Sequence, residues 1–151
     1  MSAGTPSNDA GLLAVARVRR VRETDSRIGL QTALAEQRAA QKRVDDLRRR
    51  LSAAEQFAAG SAAEFVALRD SLQVLGMVLL AAVEELDQTR TISAAALEAW
   101  QRDRAKLAAI EGLLERRAAA RRTEAARSAA RELDDLATQR WLRGSGHGEV
   151  A

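Results

Sequence analysis

The sequence predicts an all-α protein, an antiparallel two-helix coiled-coil hairpin with an overhanging C-terminal helix. Three observations lead to this fold class. The 151 residues include a single proline, Pro6, so that no proline interrupts the rest of the chain. Aromatic residues make up only 3% of the chain although apolar residues make up 46%, and alanine supplies much of that apolar content. Such a composition suits long helices packed along a narrow seam better than a thick globular core.

The first helix is expected over residues 10–59. Residues 1–9 are small and polar around Pro6, which predicts a disordered leader. Asp9 is a candidate N-cap for the helix that follows it, because a carboxylate can accept hydrogen bonds from the free backbone N–H groups of a first turn.

The turn is expected at residues 60–61, between the two helices. Gly60 suits the end of a helix, and Ser61 with Glu64 has the spacing of a capping box for a second helix over residues 61–143. The glycine-rich residues 144–151 predict a flexible tail.

A turn at this place brings apolar residues of the two helices opposite each other. A turn at Asp87–Ser93 would instead place Leu47 against Arg131, and a leucine facing an arginine loses most of the roughly 1.5–3 kcal/mol that a buried aliphatic side chain contributes. The expected pairs are Phe57 with Phe65, Leu51 with Leu72, Leu47 with Leu75, Leu30 with Ile92, Val21 with Trp100, Val15 with Leu107, and Leu12 with Ile110. About thirty residues after Ile110 then overhang the start of the first helix.

The residues that most enzymes use are missing or scattered. The chain has no cysteine, which excludes disulfides and thiolate metal sites, and its one histidine is His147 in the tail, where we expect it to be solvated. Adjacent carboxylates such as Asp45 and Asp46 diverge by about 100° on a helix. The longest apolar stretch, Val74–Val83, is too short to cross a bilayer, which takes about twenty residues. We therefore expect no enzyme activity, cofactor, metal or small-molecule substrate.

Three surface features remain as candidate binding sites. Arginines cluster near both chain ends, which the hairpin brings together as one basic end. A second apolar stripe lies beside the seam on the second helix, and a tryptophan ends that helix. The arginines are Arg17, Arg19, Arg20 and Arg22 in the first helix and Arg116, Arg117, Arg121, Arg122, Arg127 and Arg131 in the second; the stripe is Val74, Met77, Val78 and Ala81; the tryptophan is Trp141.

Each feature also has a purely structural interpretation. The arginines can serve only to keep an alanine-rich helix soluble, and the stripe can mediate self-association. Trp141 can fold back on Leu136 and Ala137, whereas Trp100 is expected in the seam over Val18 and Val21. Two functional alternatives also stay open: a basic coiled coil that binds nucleic acid, and a scaffold. The 24 basic residues are set against 21 acidic ones, which argues against nucleic acid.

The segment Leu113–Trp141 resembles the C-terminal pattern of the FliJ family of the bacterial flagellar type III export apparatus. It combines a leucine-rich step, a basic pair, and the run Glu-Leu-Asp-Asp-Leu-Ala at residues 132–137. The opening Leu12–Leu34 is similar to the family's Leu-Leu, arginine-rich start. The aromatic residue often found near the family's N-terminus is missing here, and the leader is longer.

The resemblance implies a non-enzymatic protein that acts as a coupling stalk and chaperone escort. Its implied partners are the hexameric flagellar export ATPase, the cytoplasmic domain of the export gate membrane protein, and export chaperones, with no nucleic acid. Its implied place is cytoplasmic, peripheral at the inner face of the cell membrane by the flagellar basal body. From the charge polarity we expect the basic end to meet the ATPase ring, and the apolar stripe to meet the gate or a chaperone. The residues expected at the ATPase ring are Arg17, Arg19, Arg20, Arg22, Arg116, Arg117, Arg121, Arg122 and Trp141.

Overall fold

Two long helices make up the part of the chain that the structure, a computed structural model, describes, which is residues 7–55 and 60–145. Helix α1 runs over Ser7–Glu55 and helix α2 over Ala62–Ser145. No strand occurs within the described residues. The two helices pack against each other, and this confirms the predicted all-α helical hairpin.

The ends of the helices differ slightly from the expected ones. Helix α1 begins at Ser7, so residues 7–9, expected in the leader, belong to its first turn. Helix α2 continues two residues beyond the expected end at position 143, as far as Ser145. Residues 1–6, 56–59 and 146–151 lie outside the described residues, and with them lie Phe57, His147 and most of the expected leader and tail.

The start of α2 is a capping box. The Ser61 backbone N–H donates to Glu64 Oε2 at 2.6 Å, and the Glu64 backbone N–H donates to Ser61 Oγ at 3.3 Å. The Phe65 N–H donates to the Ser61 carbonyl at 3.0 Å, which is the first backbone bond of the helix. Backbone N–H groups that the start of a helix would otherwise leave unpaired are thus satisfied. The predicted capping box of Ser61 and Glu64 is therefore present.

The chain divides into two compact units. The hairpin unit is Val18–Leu107, and the terminal unit combines Met1–Arg17 with Ala108–Ala151. In the hairpin unit the two helices are antiparallel, as cross-helix contacts between Arg43 and Glu85 and between Glu23 and Trp100 show.

The seam of the hairpin unit follows an unbroken heptad frame in both helices. Its positions are spaced alternately by three and four residues, and their side chains are buried or half-buried. In α1 they are Arg19, Glu23, Ser26, Leu30, Ala33, Gln37, Ala40, Val44, Leu47, Leu51 and Ala54. In α2 they are Leu68, Leu72, Leu75, Leu79, Ala82, Leu86, Thr89, Ser93, Ala96, Trp100, Asp103 and Leu107.

The best-packed part of this seam is centred on Val44, whose side chain is fully buried. It is surrounded by small and aliphatic side chains of both helices. The cluster consists of Ala40, Val44, Leu47, Ala82 and Leu86, with Leu75, Leu79 and Val83 packed against it. Alanines on both helices keep this core thin, as the composition predicts.

Several of the expected apolar pairs are wrong. Ile92, Val21 and Val15 were each assigned to the seam, but they are exposed. Phe65, expected opposite Phe57, is exposed as well. The expected register is the one that pairs the most aliphatic residues. The helices instead keep a continuous heptad frame, which a coiled coil follows even where polar residues occupy its positions.

The cross-helix contacts also show that the register of the two helices differs from the expected one. The expected register, with Val21 opposite Trp100, also placed Leu12 opposite Ile110. In the structure the first turn of α1 instead reaches α2 one to two turns further along, where Asp9 pairs with Arg117 and Arg121. The uncovered part of α2 therefore begins later than expected: every described residue from 119 to 144 is exposed.

Candidate functional site

The predicted apolar stripe of α2 is a real surface of the hairpin unit. Val74 is 61% exposed, Met77 66% and Val78 37%, and Ala81 is exposed too. These residues recur at spacings of three and four, so they line one face of the helix. Leu75 and Leu79 turn the other way, into the seam. The stripe therefore has no partner among the described residues of α1.

The exposed apolar surface of α2 is larger than the sequence predicted. Leu80 is 73% exposed, Val66 57% and Phe65 62%. The signal for Leu80 was present in the sequence, because it falls outside the heptad frame that passes through Leu75, Leu79 and Ala82. Exposed apolar side chains in this number on one helix are typical of an interaction surface.

This surface also makes α2 unusually apolar. The helix contains an 18-residue window with a mean hydropathy of 1.7, of which only 6% is buried, so its length and composition alone would allow it to cross a membrane. Core helices of soluble proteins meet the same criterion. The expectation that no segment can cross a bilayer rests on Val74–Val83 alone. That stretch has ten residues, whereas the apolar window of α2 has 18.

The second predicted surface, the arginines of α2, is partly occupied by a carboxylate from α1. In the terminal unit Arg117 Nη1 lies 3.3 Å from Asp9 Oδ1, and Arg121 pairs with Asp9 Oδ2. Asp9 was predicted as an N-cap and lies in the first turn of α1, where it makes these two ion pairs. The arginines are one helical turn apart, which lets both reach the same carboxylate.

The other arginines of this group differ in their surroundings. Arg127 and Arg131 lie 3.8 and 4.0 Å from the carboxylate of Glu124 on the same helix. Arg116 and Arg122 are exposed, and the described residues show no ion pair for either. The part of the cluster open to a partner is thus centred on Arg116 and Arg122.

The arginines of α1 fall in different units. Arg17 belongs to the terminal unit, whereas Arg19, Arg20 and Arg22 belong to the hairpin unit. Arg19 is half-buried at a seam position, and the other three are exposed. Arg19 is therefore the least suited of the four to meet a partner.

The two tryptophans have different surroundings. Trp141 is 69% exposed near the end of α2, as an anchor residue would be. Trp100 is half-buried in the seam, but not over Val18 and Val21, which are exposed. Its Nε1 donates instead to Glu23 Oε1 at 2.9 Å, and the guanidinium of Arg104 lies 5.2 Å from the ring centroid.

The cap of α2 lowers the pKa of the Glu64 carboxyl group. The Ser61 backbone N–H and then the Ser61 hydroxyl stabilise the charged form of Glu64, which lowers its pKa below the usual 4.5. This group caps a helix and belongs to neither predicted surface. Among residues 7–55 and 60–145, no group of three or more histidines, aspartates or glutamates is placed to hold a metal ion.

Comparison with known proteins gives one result. No curated protein and no solved structure matches the chain. The family model described as flagellar FliJ protein matches residues 9–146, which is nearly the whole chain. This family is a structural component of the flagellar type III export apparatus, on the cytoplasmic side of the basal body, rather than a family of enzymes. The chain therefore belongs to the flagellar FliJ protein family.

Proposed function

We propose that this protein is a non-enzymatic coupling stalk and chaperone escort that bridges the flagellar export ATPase ring and the export gate. The observation that supports this function best is that α2 carries two exposed surfaces of different chemistry. The hairpin unit bears an apolar stripe, and the terminal unit bears a group of arginines. A protein that links the ATPase ring to the export gate needs two separate binding surfaces, and surfaces of different chemistry select different partners.

The basic surface is the proposed contact with the hexameric ATPase. Arginine guanidinium groups suit this role because they form bidentate hydrogen bonds with carboxylates of a partner protein. Trp141 adds an exposed aromatic side chain of the kind that anchors interfaces. The residues proposed for this contact are Arg17, Arg19, Arg20, Arg22, Arg116, Arg117, Arg121, Arg122 and Trp141.

The apolar stripe is the proposed contact with the cytoplasmic domain of the export gate or with an export chaperone. Helix faces with apolar residues at spacings of three and four commonly dock into a hydrophobic groove. Val74, Met77, Val78 and Ala81 form such a face. Binding there would hold the protein at the inner face of the cell membrane as a peripheral component.

One experiment tests both contacts through separate variants of the full chain. Reversing Arg116, Arg117, Arg121 and Arg122 to glutamate should abolish co-sedimentation with the purified ATPase and leave binding to the gate domain intact. Met77→Asp should weaken gate or chaperone binding and reduce swimming motility, but leave ATPase binding intact. Met77 is preferred to Val78 because Val78 lies nearer the seam, being only 37% exposed.

Matched controls separate these effects from general damage. Reversing four exposed basic residues of α1, Arg38, Lys42, Arg48 and Arg50, changes the net charge by the same amount elsewhere, and it should leave ATPase binding unchanged. Ile92→Asp places the same charge on an exposed apolar residue of α2 about three turns away from the stripe, and it should leave gate or chaperone binding unchanged. The bridging function is contradicted if the fourfold arginine variant still co-sediments with the ATPase, or if Met77→Asp and Val78→Asp cells both swim normally.

A further inference from the structure

The contact between Asp9 and the arginines of α2 is a carboxylate-binding site that is already filled. Each oxygen of the Asp9 carboxylate faces a different guanidinium, Arg117 on Oδ1 and Arg121 on Oδ2. The Asp9 side chain is 25% exposed, and that of Arg117 is 37% exposed. Two guanidinium groups one turn apart on one helix therefore hold a carboxylate that the chain itself supplies.

The ion pairs that hold Asp9 in this site are weak ones. Ion pairs this close to solvent typically change an equilibrium by only about two- to fivefold, because water and salt screen them. Carboxylates of an acidic partner would meet the same two arginines with the same chemistry. The contact is thus strong enough to compete with a partner and weak enough to be displaced by one.

We propose that Asp9 is an intramolecular competitor for the acidic surface that Arg117 and Arg121 recognise. A partner carboxylate replaces Asp9, and the first turn of α1 is released from α2 when the partner binds. This inference rests on the proposed function insofar as the partner is the export ATPase. It adds that Asp9 occupies Arg117 and Arg121 until an acidic partner binds. Arg116 and Arg122 are exposed and do not have to release Asp9 first.

The test measures binding of the full chain to a decaglutamate peptide by titration calorimetry at about 0.05 M salt, where screening is weak. Asp9→Asn should bind the peptide about two- to fivefold more tightly than the unaltered chain, because the arginines lose their internal partner. Asp9→Glu, which keeps the charge, should bind like the unaltered chain. Asp25→Asn removes one exposed negative charge elsewhere in α1 and controls for net charge.

The arginines themselves supply the decisive comparison. In a chain with Arg117→Gln and Arg121→Gln, adding Asp9→Asn should change peptide binding no more than Asp25→Asn does. In a chain with Arg116→Gln and Arg122→Gln, which loses the same charge, the full effect of Asp9→Asn should persist. Circular dichroism of each variant verifies that the helices are retained.

The outcomes distinguish this inference from the proposed function. If Asp9→Asn binds decaglutamate no more tightly than Asp25→Asn does, or if its effect persists without Arg117 and Arg121, the competition by Asp9 is disproved. If the peptide series behaves as expected but the unaltered chain and Asp9→Asn both fail to bind the purified ATPase, the competition stands and the ATPase assignment is wrong.

Discussion

At the scale of single residues, the capping box of α2, Ser61 with Glu64, changes the pKa of a carboxyl group. Ser61 donates its backbone N–H to the Glu64 carboxylate, and its hydroxyl accepts from the Glu64 N–H. Because the charged form of Glu64 is the one that accepts, its pKa in the folded chain is lowered. Its contribution to stability is present above the unfolded pKa, which is close to the usual 4.5, and is lost as the pH falls through the lower folded pKa.

We therefore expect the carboxyl ¹³C signal of Glu64 to titrate below pH 4.5, and Ser61→Ala to move its pKa back toward the usual value. The variant removes the hydroxyl and loosens the turn that presents the backbone N–H. Ser71→Ala is the matched control, since the Ser71 hydroxyl bonds only to the Ala67 carbonyl of its own helix. An unchanged Glu64 pKa in Ser61→Ala would contradict the role of this cap.

At the scale of the helices, polar residues in the heptad frame tie α1 to α2. Ser93 is 6% exposed, and its hydroxyl donates to Gln37 Oε1 at 2.6 Å. Beside the frame, the exposed Arg90 donates to Gln41 Oε1 at 3.1 Å. A polar pair at a core position of a coiled coil favours one register, because a slip of the helices separates the Gln37 amide oxygen from the Ser93 hydroxyl.

A double-mutant cycle measures this coupling. Gln37→Ala and Ser93→Ala should each lower the free energy of unfolding, and together they should cost less than the sum by about 0.5–1.5 kcal/mol, the usual net value of one hydrogen bond. Urea unfolding followed by circular dichroism gives these values. Gln37 with Thr91 is the control pair, because Thr91 is exposed and bonds to the Asp87 carbonyl of its own helix. Strict additivity of Gln37 and Ser93 would show that the pair sets no register.

At the scale of the whole molecule, the burial is distributed very unevenly along α2. Half-buried residues of α2 extend as far as Arg117 and Ala118, and all described residues from 119 to 144 are exposed. This C-terminal part of the helix therefore contributes helical content but almost no buried surface. Apart from the ion pair of Arg121 with Asp9, its residues therefore add little to the stability of the fold.

A truncated chain that ends at Thr123 should keep the melting temperature of the full chain within roughly 1–2 °C, since exposed positions usually change stability by less than about 0.5 kcal/mol. Its helical signal should fall in proportion to the residues removed. A chain that ends at Gly112 also loses Arg117 and Arg121, and it should melt at a lower temperature. If the chain ending at Thr123 melted several degrees lower, the exposed segment would be packing against the rest of the protein.

The sequence by itself determined the helices, the cap at Ser61 and Glu64, the narrow alanine-rich seam and the resemblance to the flagellar FliJ family, because all of these depend on residues close together in the chain. It also indicated the stripe at Val74, Met77 and Val78, whose exposure follows from the seam being filled by leucines. Only the tertiary structure decided which residues face each other across the helices.

The physical reason is that aliphatic side chains alone do not choose a register. Several alignments of two heptad patterns bury similar areas, so Ile92 and Val21 looked like core residues. The choice among these alignments depends on pairwise contacts that no local pattern contains, such as Gln37 with Ser93, Glu23 with Trp100, and Asp9 with the arginines of α2. Those contacts join residues far apart in the sequence, and they exist only once the two helices have packed.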